Sequence, residues 1–301
     1  MAAHESIARA RLLEALSHDR VPDPVLQIFN GRPGPPRPGQ LWRARWADVT
    51  ELVLLLHVDA SEVDAAPASL EDAFGDVDTV VLPPTLTTLN SPIAVWAGAS
   101  RNVPVCALDR QIGDTRLDPT LNLVEWATAN GAVRGRRVIG AIDPLAEFRG
   151  RLLDAMTTLE EATWAPAGTG RLSHLIAAAG VTISDLIQQL GVAPQRALAI
   201  RRGQAAASER EARGLAAMLS LTVAEILNAN PSLPPDLVQA LSMPRCRENV
   251  SRLALEWGCD ERDVWQVAAF GVYELAARQT GGVAQPAWAE RIDRYFSMVL
   301  E

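Results

Sequence analysis

Beyond the Pro/Gly-rich stretch at 31–39 hydrophobic periodicity changes from that of strands to that of helices, and the change limits what the chain can fold into. From Leu41 to about residue 108 short runs read with the period of two or the continuous apolar character of strands, and from Pro144 onward apolar residues recur every three or four residues. Successive side chains of a strand point to opposite faces, whereas a helix brings i, i+3 and i+4 onto one face. The expected fold is therefore α+β and multidomain: a small N-terminal β-barrel or sandwich followed by an all-α region.

The 301 residues, 48% hydrophobic and 21% charged, suit a soluble globular protein and exclude a wholly disordered chain. At about 100 to 150 residues per domain, the length gives two or three domains. The longest strongly apolar run, Leu52 to Leu56, is far short of the roughly 20 residues that span a bilayer. The N-terminal stretch MAAHESIARARLLEALSHDR is amphipathic and carries no apolar signal core. No membrane association is expected. Cys106, Cys246 and Cys259 do not cluster with one another or with His4, His18, His57 and His174, so neither a disulfide framework nor a zinc site is expected. A cytoplasmic protein without metal or cofactor follows. All 28 basic residues are arginine, so each one alone is a weak functional signal.

Four regions emerge. Residues 1–37 hold a short amphipathic helix over residues 5 to 16, with Ile7, Leu12, Leu13 and Leu16 on one stripe, and a linker within GRPGPPRPG (31–39). Residues 38–164 hold strands over Leu41–Trp46, Glu51–Val58, Thr79–Leu82, Ile93–Ala97 and Val103–Leu108, then a helix between Pro144 and Trp164. Asp59 to Asp78, with seven acids and no base, is expected to be a solvated loop with a short helix at Leu70–Phe74. After the linker APAGTG (165–170), residues 171–230 and 232–301 are helical throughout.

The string from Arg171 to Asn228 is the most informative. Thr182 caps ISDLIQQL, Gly191 ends that helix, and Pro194 opens the next one, PQRALAIRR, which stops at Gly203; Ser208 and Thr222 cap two further helices. Two helices of about eight residues joined at a glycine form the helix-turn-helix pattern. In Leu186, Leu190, Gly191, Val192, Ile200, Gly203, Leu215, Ala216, Leu219 and the Val223–Leu227 close, it resembles the XRE-type (Cro/repressor) family. That resemblance implies five packed helices, with the one beginning near Pro194 in the DNA major groove. Its base-contacting positions fall on Pro194, Gln195 and Ala199, and of these Gln195 alone can make paired hydrogen bonds to an adenine edge. Residues 194 to 213 carry five arginines against Glu209 and Glu211, a net +3 within a chain of net −8, the local sign that phosphate neutralisation requires. Thr182, Gln195, Arg196, Arg201 and Arg202 are the candidate DNA contacts. Arg201 departs from the family, which has an acidic residue there.

PGQLWRARW, VVLPPT (80–85) and VPVCALDRQIGDTRL (103–117) are similar to strings of the MazF/PemK endoribonuclease toxins, in which a strand ends in a Gln-Ile turn. The resemblance implies a small barrel, and metal-free RNA cleavage by 2′-hydroxyl attack aided by an arginine and a threonine. Thr85 falls on the threonine position. The arginine-bearing loop is missing, because Trp46 turns straight to Glu51, and Arg43 or Arg45 would have to substitute. Without a cation at the developing charge, about 10² to 10³ in rate is forfeited, so the barrel is expected to bind rather than cut. His57 and Asp59 pair in sequence without a nucleophile beside them.

The C-terminal apolar set, Val250 to Leu275 with Trp288, Ile292, Tyr295 and Phe296, is expected to supply core and a homodimer interface. The leading expectation is a DNA-binding regulator acting on double-stranded DNA. An endoribonuclease, and a non-enzymatic protein-binding component of a defence or toxin–antitoxin operon, stay open as alternatives.

Overall fold

The computed structural model describes residues 33–70, 79–116, 123, 125, 133–134, 142–165, 168–278 and 288–300. The helix expected over residues 5 to 16 lies outside them, as does nearly all of the one expected at Leu70–Phe74. The chain divides into two compact units, residues 1–162 and 163–301. The protein is α+β: antiparallel strands in the first unit, helices throughout the second.

The first unit is one antiparallel sheet. Its strands are β1 (Gln40–Trp46), β2 (Val49–Val58), β3 (Glu62–Ser69), β4 (Thr79–Leu82), β5 (Ile93–Trp96), β6 (Arg101–Pro104), β7 (Leu108–Asp114) and β8 (Val133–Arg134). Seven run in the order β7-β1-β2-β3-β5-β4-β8, and β6 pairs with β3 off that path. Among the described residues no ladder joins β7 to β8, so the sheet is open. β1 and β2 form a hairpin in which Trp42 faces Val53 and Ala44 faces Glu51. Ala47, in the turn between them, takes a left-handed conformation (φ 50°). Both faces are covered. Leu41, Leu54, Ala66, Leu82, Ile93 and Val95 fill one side, and on the other helix α1 (Ile142–Glu160) lays Phe148 and Leu152 against Ala94 and Trp96. Alternation placed Trp42, Ala44 and Trp46 on one side of β1 and all three are buried, yet Leu41 on the other side is equally buried.

Two expectations fail here. The acidic stretch from Asp59 is not a loop throughout, because Glu62–Ser69 is the centre of the sheet, with Val53 opposite Pro67 and Leu54 opposite Ala66. Its charges sit at the exposed end while small residues fill the buried part. The run Val103–Leu108 is not one strand either: β6 ends at Pro104, a 3-10 turn takes Val105–Ala107, and β7 runs on to Asp114, with a register shift that passes over Ile112 between Gln111 and Gly113. A Gln-Ile turn is thus absent at that place.

The second unit holds α2 (Leu172–Ala178), α3 (Ile183–Leu190), α4 (Pro194–Arg201), α5 (Glu209–Leu219), α6 (Val223–Ala229), α7 (Pro235–Ser242), α8 (Pro244–Trp257), α9 (Glu261–Arg278) and α10 (Trp288–Leu300). Leu172, Ile176, Leu186, Ala197, Ile200, Leu215 and Ile226 form the core of α2 to α6. Trp164 and Trp265 stack at 5.9 Å beneath the later helices, and buried Arg247 donates to Glu261 at 2.9 Å. Among the described residues, no helix is long and apolar enough to cross a membrane.

Candidate nucleic-acid interface

Local chemistry fixes each turn around α3 and α4. The Thr182 hydroxyl accepts from the Asp185 amide at 3.2 Å, and the Asp185 carboxylate accepts from the Thr182 amide at 2.8 Å. Gly191 then ends α3 in the left-handed conformation (φ 63°), where a side chain would be strained. Val192 and Ala193 lead into Pro194, whose missing N–H costs nothing in a first turn. Ser208 and Glu211 repeat the reciprocal cap at α5, as do Thr222 and Glu225 at α6.

The candidate contacts meet different fates. Gln195 is exposed in the first turn of α4, and its side chain makes no hydrogen bond among the described residues. Arg202 is also exposed, at the end of the same helix. Arg196 turns inward: its Nε donates to Glu211 at 2.9 Å, and its Nη2 to the other carboxylate oxygen at 2.8 Å and to the Ala206 carbonyl at 2.7 Å. Burial is the largest single influence on Glu211 and works against its charge, but the Arg196 guanidinium and the hydrogen bonds from Ser208 together hold the carboxyl below its ordinary value. Arg201 donates to the Val181 carbonyl, which supplies the partner that its departure from the family pattern left open. Thr182 gives its hydroxyl proton to Asp185 at 2.6 Å. These hydrogen bonds hold the Asp185 carboxyl below its usual range, so a negative charge occupies the start of α3.

The local charge is consequently redistributed rather than cancelled. Arg196 pairs with Glu211 and Arg213 with Glu209; Arg201, Arg202 and Arg210 keep the +3. A further exposed arginine escaped the sequence reading. A Cβ on Gly203 would lie 3.4 Å from Ser173, so the end of α4 abuts the first turn of α2, where Arg171 is exposed. Only a window extended past residues 194 to 213 would have found it.

In the sheet, Thr85 is exposed on a 3-10 turn, Pro84–Leu86. That turn meets the end of β7: the Thr88 amide donates to the Asp114 carbonyl, the Arg116 amide to the Leu86 carbonyl, and a Cβ on Gly113 would sit 2.7 Å from the Thr88 hydroxyl. Arg43 lies opposite Arg110 instead, with its guanidinium 2.5 Å from Asp109, and Arg45 stands 3.8 Å from the same carboxylate. Four residues of β7 therefore separate the Thr88 and Arg43 levels, about 13 Å at a strand rise of 3.3 Å. The sheet does not bring Thr85 to either arginine. Arg116, exposed beside the turn, is the arginine that motif reading missed. Burial raises the Asp114 carboxyl above its ordinary value, against hydrogen bonds from Gln40 and Gln111 and the field of Arg37. His57 and Asp59 lie 3.4 Å apart and largely exposed. No group of three or more His, Cys, Asp or Glu among the described residues is placed to hold a metal.

Comparison with known protein families, curated proteins and solved structures returns no match to this chain.

Proposed function

We propose that this protein is a cytoplasmic, DNA-binding transcriptional regulator of the XRE helix-turn-helix type, acting as a homodimer on double-stranded DNA. The observation that carries this reading is the pairing of an exposed, uncommitted Gln195 at the start of α4 with the charge left on Arg201, Arg202 and Arg210. A glutamine amide matches the donor and acceptor of an adenine edge, and guanidiniums at the far end of α4 and the start of α5 neutralise phosphate. The sheet is the MazF/PemK-like part, and its role is to bind. Separation of Thr85 from Arg43 and Arg45 supports a non-catalytic role, since phosphate cleavage needs both groups at one place.

Dimerisation belongs to the C-terminal helices, where Leu255, Trp257, Tyr273 and Met298 are exposed. Large apolar side chains left in water favour association. The test is binding of full-length protein to DNA from upstream of its own coding sequence, titrated with salt. We expect a steep loss of affinity with salt, a slope reduced by about 2 in a double Arg202→Ala, Arg210→Ala variant, and weaker discrimination at one base position in Gln195→Ala. Absence of salt-dependent binding would overturn the reading.

A further inference from the structure

Arg196 stands next to Gln195 but does nothing that a phosphate contact would do. Its guanidinium forks onto Glu211, fifteen positions ahead, and also reaches the Ala206 carbonyl. The loop between α4 and α5 is held at three consecutive residues by three side chains. Arg196 takes the Ala206 carbonyl; buried Asn230 takes both the amide (2.8 Å) and the carbonyl (3.1 Å) of Ala207; Glu211 accepts from the Ser208 amide at 2.7 Å. Asn230 in turn closes α6 and accepts from Gly170 at 2.8 Å. The first turn of α4 is thereby tied to the starts of α5 and the end of α6, through groups that are buried or half-buried.

We propose that Arg196 is a positioning residue: through Glu211 and Ala206 it fixes the orientation of the helix that presents Gln195, and it does not itself touch DNA. This rests on the DNA-binding reading above and assigns how its specificity is set. An ammonium is a point charge and cannot reproduce a planar fork onto two oxygens and a carbonyl, so Arg196→Lys keeps the charge and loses the geometry. Glu211→Gln keeps the shape and releases the guanidinium.

The experiment measures, for wild type, Arg196→Lys and Glu211→Gln, the ratio of specific to non-specific DNA affinity, the salt slope, and amide hydrogen exchange along α4. A positioning role lowers the specificity ratio by about tenfold or more in both variants, leaves the salt slope unchanged, and speeds exchange in α4 while α8 and α9 stay protected. A phosphate-contact role gives the opposite pattern: Arg196→Lys binds as wild type and Glu211→Gln binds more tightly, which would overturn the proposal. If the wild type binds no DNA, the regulator reading fails by itself. Unchanged exchange in α4 in both variants would then sink the positioning role separately.

Discussion

Gln195 and Arg196 are neighbours in one helical turn with opposite surroundings, and the difference decides what each substitution reports. Gln195→Ala removes an exposed amide and should leave the melting temperature unchanged while weakening specific binding. Thr182→Ala should do the reverse. Losing the reciprocal cap at α3 costs about 1 kcal/mol, read as a lowered denaturation midpoint; affinity for DNA should stay within a fewfold, because the Thr182 hydroxyl is already spent on Asp185. Gly271 offers a sharper case in the C-terminal helices. A Cβ there would collide with the Tyr295 ring, so Gly271→Ala should destabilise by about 1 to 3 kcal/mol, and a chemical-denaturation midpoint equal to wild type would refute that packing.

At the scale of elements, α1 docks on a sheet face that carries a carboxyl. Glu51 lies opposite Ala44, on the same side of β2 as Val53 and Leu55, and the charged group acting on it is Arg151 of α1. Burial pushes its pKa up to about 7 from 4.5, and the Arg151 field only partly opposes this. Folding thus favours the neutral acid. Its contribution is full below the unfolded value, declines as pH rises, and is lost once pH passes the folded value near 7. Wild type should therefore melt lower at about pH 8 than at about pH 5, relative to Glu51→Gln, in which this dependence should vanish. Parallel pH profiles for the two proteins would show that Glu51 is not the titrating group.

For the whole molecule, two functions compete for the sheet and one interface is still to be formed. With Thr85 and the paired arginines on different levels of β7, purified protein should leave RNA intact without metal, and Thr85→Ala should change nothing in that assay. Fragmentation that Thr85→Ala abolishes would restore the endoribonuclease reading, with Arg116 as its cation. Leu255 is 86% exposed and Met298 56%. A Leu255→Glu, Met298→Glu variant should shift the mass measured by light scattering from dimer to monomer; a wild type that is monomeric at every concentration would remove the dimer from the proposal.

Local chemistry was legible in the sequence wherever a residue type has one conformational use. Gly191, Pro194 and the Ser or Thr caps placed the ends of α3 to α6 because left-handed backbone, a missing N–H and a short hydroxyl each fit few positions. Period-two alternation located β1, and a continuous apolar run located β2. Long-range partners were not legible. β3 was hidden because its buried part is Ala65, Ala66, Pro67 and Ala68, small residues whose strand identity comes from the neighbours they pair with. Arg196 looked like a phosphate contact because its sequence shows a charge and not its direction, and the carboxylate that claims it lies fifteen residues on. The tertiary structure alone decided which guanidiniums are spent internally, since a charge is neutralised by what folding brings within hydrogen-bond reach and not by its neighbours along the chain.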